Sequence, residues 1–425
     1  MITDPQASPT SSSEPSDGVW SELVGQARAI AELKRAVVVA AQCRTGWTGS
    51  NGATSQDSMH AMTHAWLFTG PPGSGRSVAA RAFAAALECP QNGCGDCQVC
   101  RTCRAGTFPD VTICRTEQLS IGVDEIRDLV RKAAMAPLSG LWQVLIVEDA
   151  DRITDRAADA LLKSLEEPPS RTIWVLCTPN VDDLVATIRS RTREVRLVTP
   201  PDEDVVRLLV QRDGISEQDA WVAAKAAQGH IGRAKALAGD RQLRDARQRI
   251  VDLPGQWTSP ATCLTSAAEI VAKAQADAKT QLAQLNQRER RALEEALGFT
   301  TTGARPRSAT AALAQLEDEQ KARAKRLQRD TLDNVLTELA TWYQDVLAVQ
   351  IGASRVINMA SIDKVRQAAD ATTAGSTLAN LQAILAARRA IEANVAPLLA
   401  IESLFVQLHS NDLARPLPLM TPDAE

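Results

Sequence analysis

Apolar residues in the first half of the chain come in blocks separated by polar turns. Ala65-Trp-Leu-Phe-Thr69, Trp142-Gln-Val-Leu-Ile-Val147 and Ile173-Trp-Val-Leu-Cys-Thr178 are near-continuous apolar runs, and Glu194-Val-Arg-Leu-Val198, with two charges, is a further strand candidate. Such runs fit strands buried on both faces of a parallel sheet. Helical stretches lie between them: the alanine-rich Val78 to Leu87, and roughly Arg156 to Glu167, which Pro168-Pro169 stops. This alternation predicts an α/β domain with a mainly parallel sheet. Upstream, Ile30, Leu33, Val37 and Val38 recur at near-helical spacing and predict a helix with those residues on one face. The last 100 residues or so follow a different pattern. Leu332, Val335, Leu336, Leu339 and Trp342 repeat at three-to-four spacing among good helix formers, which predicts an all-helical region.

Composition adjusts this picture in a few places. Met1 to Asp17 is rich in Ser, Pro and Thr and is expected to be disordered, with order starting near Val19-Trp-Ser-Glu-Leu-Val-Gly-Gln26. Thr45 to Ser58 reads as a surface loop, and Gly298 to Arg307 as a second mobile segment after the charged helix Gln281 to Leu297. A length of 425 residues implies about three domains. Aromatic residues are only 3%, so the core must be built from Ala, Leu and Val. A net charge of −4 argues against unaided, tight binding to nucleic acid, which needs a basic excess. The sequence shows no apolar stretch of membrane-spanning length and no charged-then-apolar leader. Its nine cysteines then point to a reducing, cytoplasmic setting in which clustered thiols hold a metal more often than they pair as disulfides.

The chemistry centres on Gly70-Pro-Pro-Gly-Ser-Gly-Arg-Ser77, between an apolar strand and an alanine-rich helix. Gly70, Gly73 and Gly75 let backbone N–H groups close around phosphate oxygens, and the helix N-terminus adds positive potential. A tight turn with no ligand would give the same glycines. The carboxylates Glu148-Asp149, which end the strand 142–147 at the edge facing the loop, favour a nucleotide site. Three departures disfavour turnover. Arg76 stands where a compact lysine should reach the β/γ-phosphates, and the usual Asp-then-Glu order is reversed, leaving each side chain one methylene wrong. Ser77 could still offer Mg²⁺ a hydroxyl. Phosphoryl transfer depends on positioning and electrostatics, so such misplacement is costly, while ATP binding without hydrolysis stays open.

Cys89, Cys94, Cys97, Cys100 and Cys103 put five thiols in one short stretch with three consecutive C-x2-C steps. Four thiolates close a tetrahedral structural zinc site, and Pro90, Gly93 and Gly95 supply the tight turns. Spacing alone does not say which four bind; a group of free thiols is the plainer alternative. Cys43, Cys114, Cys177 and Cys263 are isolated and read as ordinary buried residues.

Ala160-Leu-Leu-Lys-Ser-Leu-Glu-Glu-Pro-Pro169, Thr187-Ile-Arg-Ser-Arg-Thr192 and the cysteine cluster after the phosphate-loop helix resemble one family. That family is the AAA+ clamp-loader subunits of bacterial DNA polymerase III, and the likeness runs over about residues 19 to 240. Within it the degraded site resembles the delta-prime kind of subunit more than the ATP-hydrolysing gamma/tau motor. Ser190-Arg191-Thr192 is similar to the family's Ser-Arg-Cys motif, which implies that Arg191 is an arginine finger given in trans to a neighbouring motor's ATP site. Without that context Arg191 would be one surface arginine among Arg189, Arg193 and Arg196. The resemblance puts Thr178 at a sensor position and Gly232 where the motor has a sensor arginine, with Arg233 one helical step away and facing elsewhere. It carries the zinc ligands to Cys89, Cys94, Cys97 and Cys100, with a shorter first interval than the family's and Cys103 as an extra thiol.

The resemblance thus implies an AAA+ α/β domain over 19–199 with its zinc module at 89–103, a helical lid over 200–243 and a helical collar over 244–425. Its implied partners are the gamma/tau and delta subunits and, through them, the sliding clamp and primer-template DNA. One alternative is an active motor of the gamma/tau type in which Arg76 replaces lysine. The other is a zinc-dependent nucleic-acid-binding module, against which the acidic balance counts.

Overall fold

The computed structural model describes residues 18–42, 61–116, 120–296, 307–353 and 356–413. The expectations for Met1–Asp17, for Thr45–Ser58, for Cys43 and for all but the last residue of Gly298–Arg307 lie outside the described residues. The chain forms two compact units, divided between Lys235 and Ala236.

The first unit is built on five parallel strands: β1 (Ala65–Thr69), β2 (Val111–Cys114), β3 (Gln143–Val147), β4 (Thr172–Thr178) and β5 (Arg193–Arg196). Their order is β2-β3-β4-β1-β5. The three apolar runs become the central strands β3, β4 and β1, every residue of which is buried, whereas the stretch 194–198 supplies the edge strand β5, in which only Val195 is buried. Side chains alternate between the two sheet faces. Trp66, Phe68, Ile146 and Val175 pack on one side with α1 (Ala27–Gln42) and α2 (Arg76–Glu88). Leu67, Leu145, Trp174 and Leu176 pack on the other with α4 (Val123–Ala133) and α5 (Asp155–Glu166). In α2 the buried residues Ala79, Ala80, Ala82 and Ala84–Ala86 let the helix lie close to the sheet, and Phe83 meets Trp66 edge-on at 5.1 Å. This close seat fixes where the glycine loop delivers its N-terminus.

Two local readings change. Leu33 and Val37 are buried in α1 as expected, but Val38 is exposed and Ala29, Ala36 and Ala40 complete the buried face, because residue 38 is about 100° further round the helix than 37. The edge strand β2 gives no strong signal in the sequence: it has four residues, and only Val111 is fully buried.

Ahead of β3, residues 138–142 are held by two buried carboxylates. Asp110 accepts the N–H groups of Leu138, Ser139 and Gly140 at 2.6–2.7 Å, and Glu88 accepts those of Leu141 and Trp142 at 2.7 and 3.1 Å. Burial pushes the Glu88 carboxyl up to about 7 against the opposing pull of those N–H groups. Asp110→Ala is expected to cost about 3 kcal/mol, because it strands several backbone donors at once. A shift of the urea midpoint with an unchanged slope would register it. Two short helices, α3 (Gln98–Ala105) ahead of β2 and α6 (Ala186–Arg189) ahead of β5, complete the α/β part, and the unit ends with α7 (Asp202–Asp213), α8 (Glu217–Ala227) and the start of α9 (Ile231–Gly239), the helix in which the division falls.

The second unit is helical: α10 (Arg241–Val251), α11 (Pro260–Ala296), α12 (Arg307–Gln350), α13 (Ile362–Ala371), α14 (Ala374–Glu392) and α15 (Pro397–Leu413). Leu332, Val335, Leu336, Leu339 and Trp342 all enter its core, where the Phe405 and Trp257 rings meet at a tilt of 38° with centroids 4.7 Å apart. The core also holds a polar knot, in which Asp345 accepts the N–H groups of Ile357 and Asn358 and half-buried Arg247 pairs with buried Glu338 at 2.8 Å. No described helix is long and apolar enough to cross a membrane.

Candidate functional site

Parallel strands deliver their carboxyl ends to one edge of the sheet, and there Gly70–Ser77 leaves β1, Glu148-Asp149 follows β3 and Thr178 ends β4. The structure therefore brings all eight candidate nucleotide-site residues to one edge. Gly75 caps α2 in the left-handed conformation (φ 91°), and Gly73 (φ 84°) leaves no room for a side chain, because a Cβ there would come within 2.5 Å of His230. Gln26 ties the loop to the strand beyond it. Its amide accepts from Val198 N–H at 3.0 Å and donates to the carbonyls of Val198 (2.6 Å) and Ser74 (3.3 Å).

Arg76 does not extend into open solvent. Its Nη1 donates to the Gly70 carbonyl, so the guanidinium closes the loop on itself. Burial depresses its pKa, and the nearby carboxylates Asp151 and Asp149 work against that. A phosphate entering this loop would have to displace a guanidinium already bound by the loop's own backbone.

The acidic pair is also engaged. Glu148, 7% exposed, accepts from Arg81 Nη2 at 2.6 Å and Nε at 3.2 Å. A divalent ion competing for this carboxylate would have to break a charge-assisted, largely buried contact. Asp149 and Ser77 are half-buried, and Thr178 is buried with its hydroxyl donating to the Asn180 carbonyl at 2.8 Å. Gly232 is exposed and brings no side chain. Half-buried Arg233 donates its backbone N–H to His230 Nδ1 at 3.2 Å, and burial lowers the pKa of both side chains. Arg81 and His230 are residues that sequence reasoning missed. The spacing from Ser77 to Arg81, one helical turn, was the available signal for the first; the second had none.

Arg191 lies at the other end of the sheet. It follows the short helix α6 (Ala186–Arg189) and precedes β5, whose first residue pairs with Trp66 near the start of β1. A strand length of about 15 Å therefore separates it from its own loop. Its Nη1 donates to Thr187 O at 2.8 Å and Ser190 Oγ at 3.2 Å, and its Nη2 pairs with Glu166 Oε1 at 2.5 Å.

The thiols of Cys89, Cys94, Cys97 and Cys100 converge where α2 ends and α3 (Gln98–Ala105) begins, with all four sulfurs within 4.8 Å of one another. The Sγ–Sγ separations Cys89–Cys94 (3.7 Å), Cys89–Cys97 (3.8 Å) and Cys94–Cys100 (4.0 Å) match the edge of about 3.8 Å of a tetrahedron with about 2.3 Å zinc–sulfur bonds. The four could hold a metal ion. Burial works against a Cys89 thiolate, but the N–H groups of Cys94, Gly93 and Gln91 outweigh it and bring its pKa down to about 7. Cys103 is buried outside this set, and burial pushes its thiol up to about 12. Cys177 and Cys263 are buried, and Cys114 is half-buried.

Residues 53–201 match the family described as DNA polymerase III, delta subunit. DNA polymerase III subunit delta' of Escherichia coli K12 is 38% identical over 181 residues, which covers 41% of this chain and 54% of that protein. The delta' subunit of Bacillus subtilis 168 is 29% identical over 195 residues, 45% of this chain and 59% of that protein. The gamma/tau subunit of Mycobacterium tuberculosis H37Rv is 33% identical over 167 residues, 37% of this chain and 29% of that protein. The chain thus spans only about half the length of the delta' relatives it matches, 41% to 59%. The match to the crystal structure of a gamma subunit-related protein from Thermotoga maritima covers 82% of this chain and 94% of that one at 17% identity, with a TM-score of 0.37. Over the matched stretch this chain is similar in sequence to both the delta' and the gamma/tau subunits of DNA polymerase III.

Proposed function

We propose that the chain acts as a delta-prime-type subunit of a DNA polymerase III clamp loader and hydrolyses no ATP itself. One observation carries this reading: Arg76, in place of the loop lysine, is bound to the Gly70 carbonyl, in a site whose Glu148 is already held by Arg81. Both groups that should meet a Mg²⁺-triphosphate are committed to partners of their own chain. The first unit then serves as a rigid AAA+ body and lid, and the helical unit as the collar. The partners are the gamma/tau and delta subunits and, through them, the sliding clamp and primer-template DNA. Arg191, a strand length from its own loop, stabilises in this reading the charge that develops on a neighbour's triphosphate during hydrolysis. The four thiols hold a structural Zn²⁺, which supplies cohesion to the 89–103 segment and no chemistry.

The likeness to gamma/tau subunits favours a second reading, an active motor. Phosphate release by the purified chain with Mg²⁺ and ATP separates the two. The expected result is no turnover above background, and no gain in Arg76→Lys, because the reversed acidic pair and the Arg81 contact remain. Robust Mg²⁺-dependent hydrolysis by the unmodified chain overturns the proposal.

A further inference from the structure

Glu166 is the last residue of α5, and Glu167 already leaves the helical conformation ahead of Pro168. A carboxylate there faces the negative end of the helix dipole, an unfavourable place unless a cation answers it. The Arg191 guanidinium is that cation. Of its five N–H donors, Nη1 serves the Thr187 carbonyl and the Ser190 hydroxyl of its own turn, while Nη2 serves Glu166, which comes from a helix of different origin. The two side chains are 35% and 48% exposed. We propose that Glu166 is a latch: it parks Arg191 in the unengaged state and is exchanged for a phosphoryl oxygen of a nucleoside triphosphate held by a neighbouring subunit. This inference rests on the finger reading of Arg191 given above.

The exchange is favoured by magnitude. A half-exposed ion pair is weak and screened, so it holds the side chain in place without trapping it. A terminal phosphoryl group offers several charged oxygens and a stronger, charge-assisted partner. Thr187 and Ser190 keep Nη1 through the swap, so the guanidinium changes partners only along its Nη2 edge. The parked state then competes with engagement, and the apparent affinity for the triphosphate is reduced by the fraction of Arg191 that is parked. The phosphate loop plays no part in this device, since it lies at the opposite edge of the sheet. Glu166 acts through Arg191 and is a positioning residue.

The experiment is steady-state ATP turnover by the full complex, reconstituted with the gamma/tau-type and delta-type subunits, using wild type, Glu166→Gln, Glu166→Asp, Arg191→Ala and the double variant Glu166→Gln/Arg191→Ala. Glu166→Gln is expected to lower the ATP concentration for half-maximal turnover about 2–5-fold, the range a surface pair supports, with the change carried by half-saturation and not by kcat. Glu166→Asp, with its shorter reach, falls between it and wild type. In the Arg191→Ala background Glu166→Gln changes nothing. Unchanged or raised half-saturation in Glu166→Gln, with Arg191→Ala still impaired, overturns the latch alone. An Arg191→Ala complex that turns over ATP like wild type removes the finger reading, and the latch with it.

Discussion

Arg191→Ala is expected to slow ATP hydrolysis at the neighbouring site by at least about 10³-fold, the lower end of what an arginine beside a transferring γ-phosphoryl contributes. Single-turnover hydrolysis in the reconstituted, DNA-stimulated complex is the measurement, since it isolates the chemical step from product release. The chain itself should be almost unaffected. Its contact with Glu166 is half-exposed and worth at most about 1 kcal/mol, so the melting temperature should barely move. Arg191→Lys is expected to recover little, because an ammonium is a point charge without the planar fork that grips two oxygens. An unchanged single-turnover rate in Arg191→Ala would refute the assignment.

The second large effect is expected from the thiol cluster. Purified chain should carry one equivalent of zinc, and Cys97→Ser should carry almost none and lose on the order of 5 kcal/mol or more of first-unit stability, because metal binding to such a site supplies folding free energy directly. Cys97 does two jobs: its sulfur belongs to the convergent four and also accepts the Cys100 N–H as the N-cap of α3. A thiolate there suits the positive end of the helix. Cys103→Ala is the control, since Cys103 is buried outside the set and should leave the metal content at one equivalent. Elemental analysis with a thermal melt distinguishes the cases. Loss of zinc from Cys103→Ala with retention in Cys97→Ser would mean that the ligand set is different.

The two predictions act at different ends of the chemistry. One tests a charge lent outward from the amino edge of the sheet. The other tests whether a small insertion between α2 and β2 holds itself together without a core of its own. The carboxyl edge, where a nucleotide machine would do its work, is filled instead by contacts within the chain. Arg76 is on Gly70, Arg81 is on Glu148, and His230 is against Gly73. Sequence reasoning expected a damaged site there from missing residue types; the structure shows what stands in their place.

What the linear pattern carries reliably is local. The central strands are apolar without a break because both of their faces are covered, so β1, β3 and β4 can be read directly. The loop glycines, the proline stop after α5 and the helical spacing from Leu332 to Trp342 likewise depend on neighbours a few positions away. The four thiols are close in space partly because they are close in sequence. The short strand β2, with only one fully buried residue, has no such signature. The contacts that decide how the site behaves join residues far apart: Arg81 meets Glu148 across 67 positions, and Gln26 reaches Val198 across 172. Glu166 and Arg191 sit on separate elements, and nothing in either stretch selects the other as its partner. Hydrophobic period and turn chemistry are short-range properties, which is why they specify elements. The pairing of charges needs the three-dimensional path of the sheet, and only the fold supplies it.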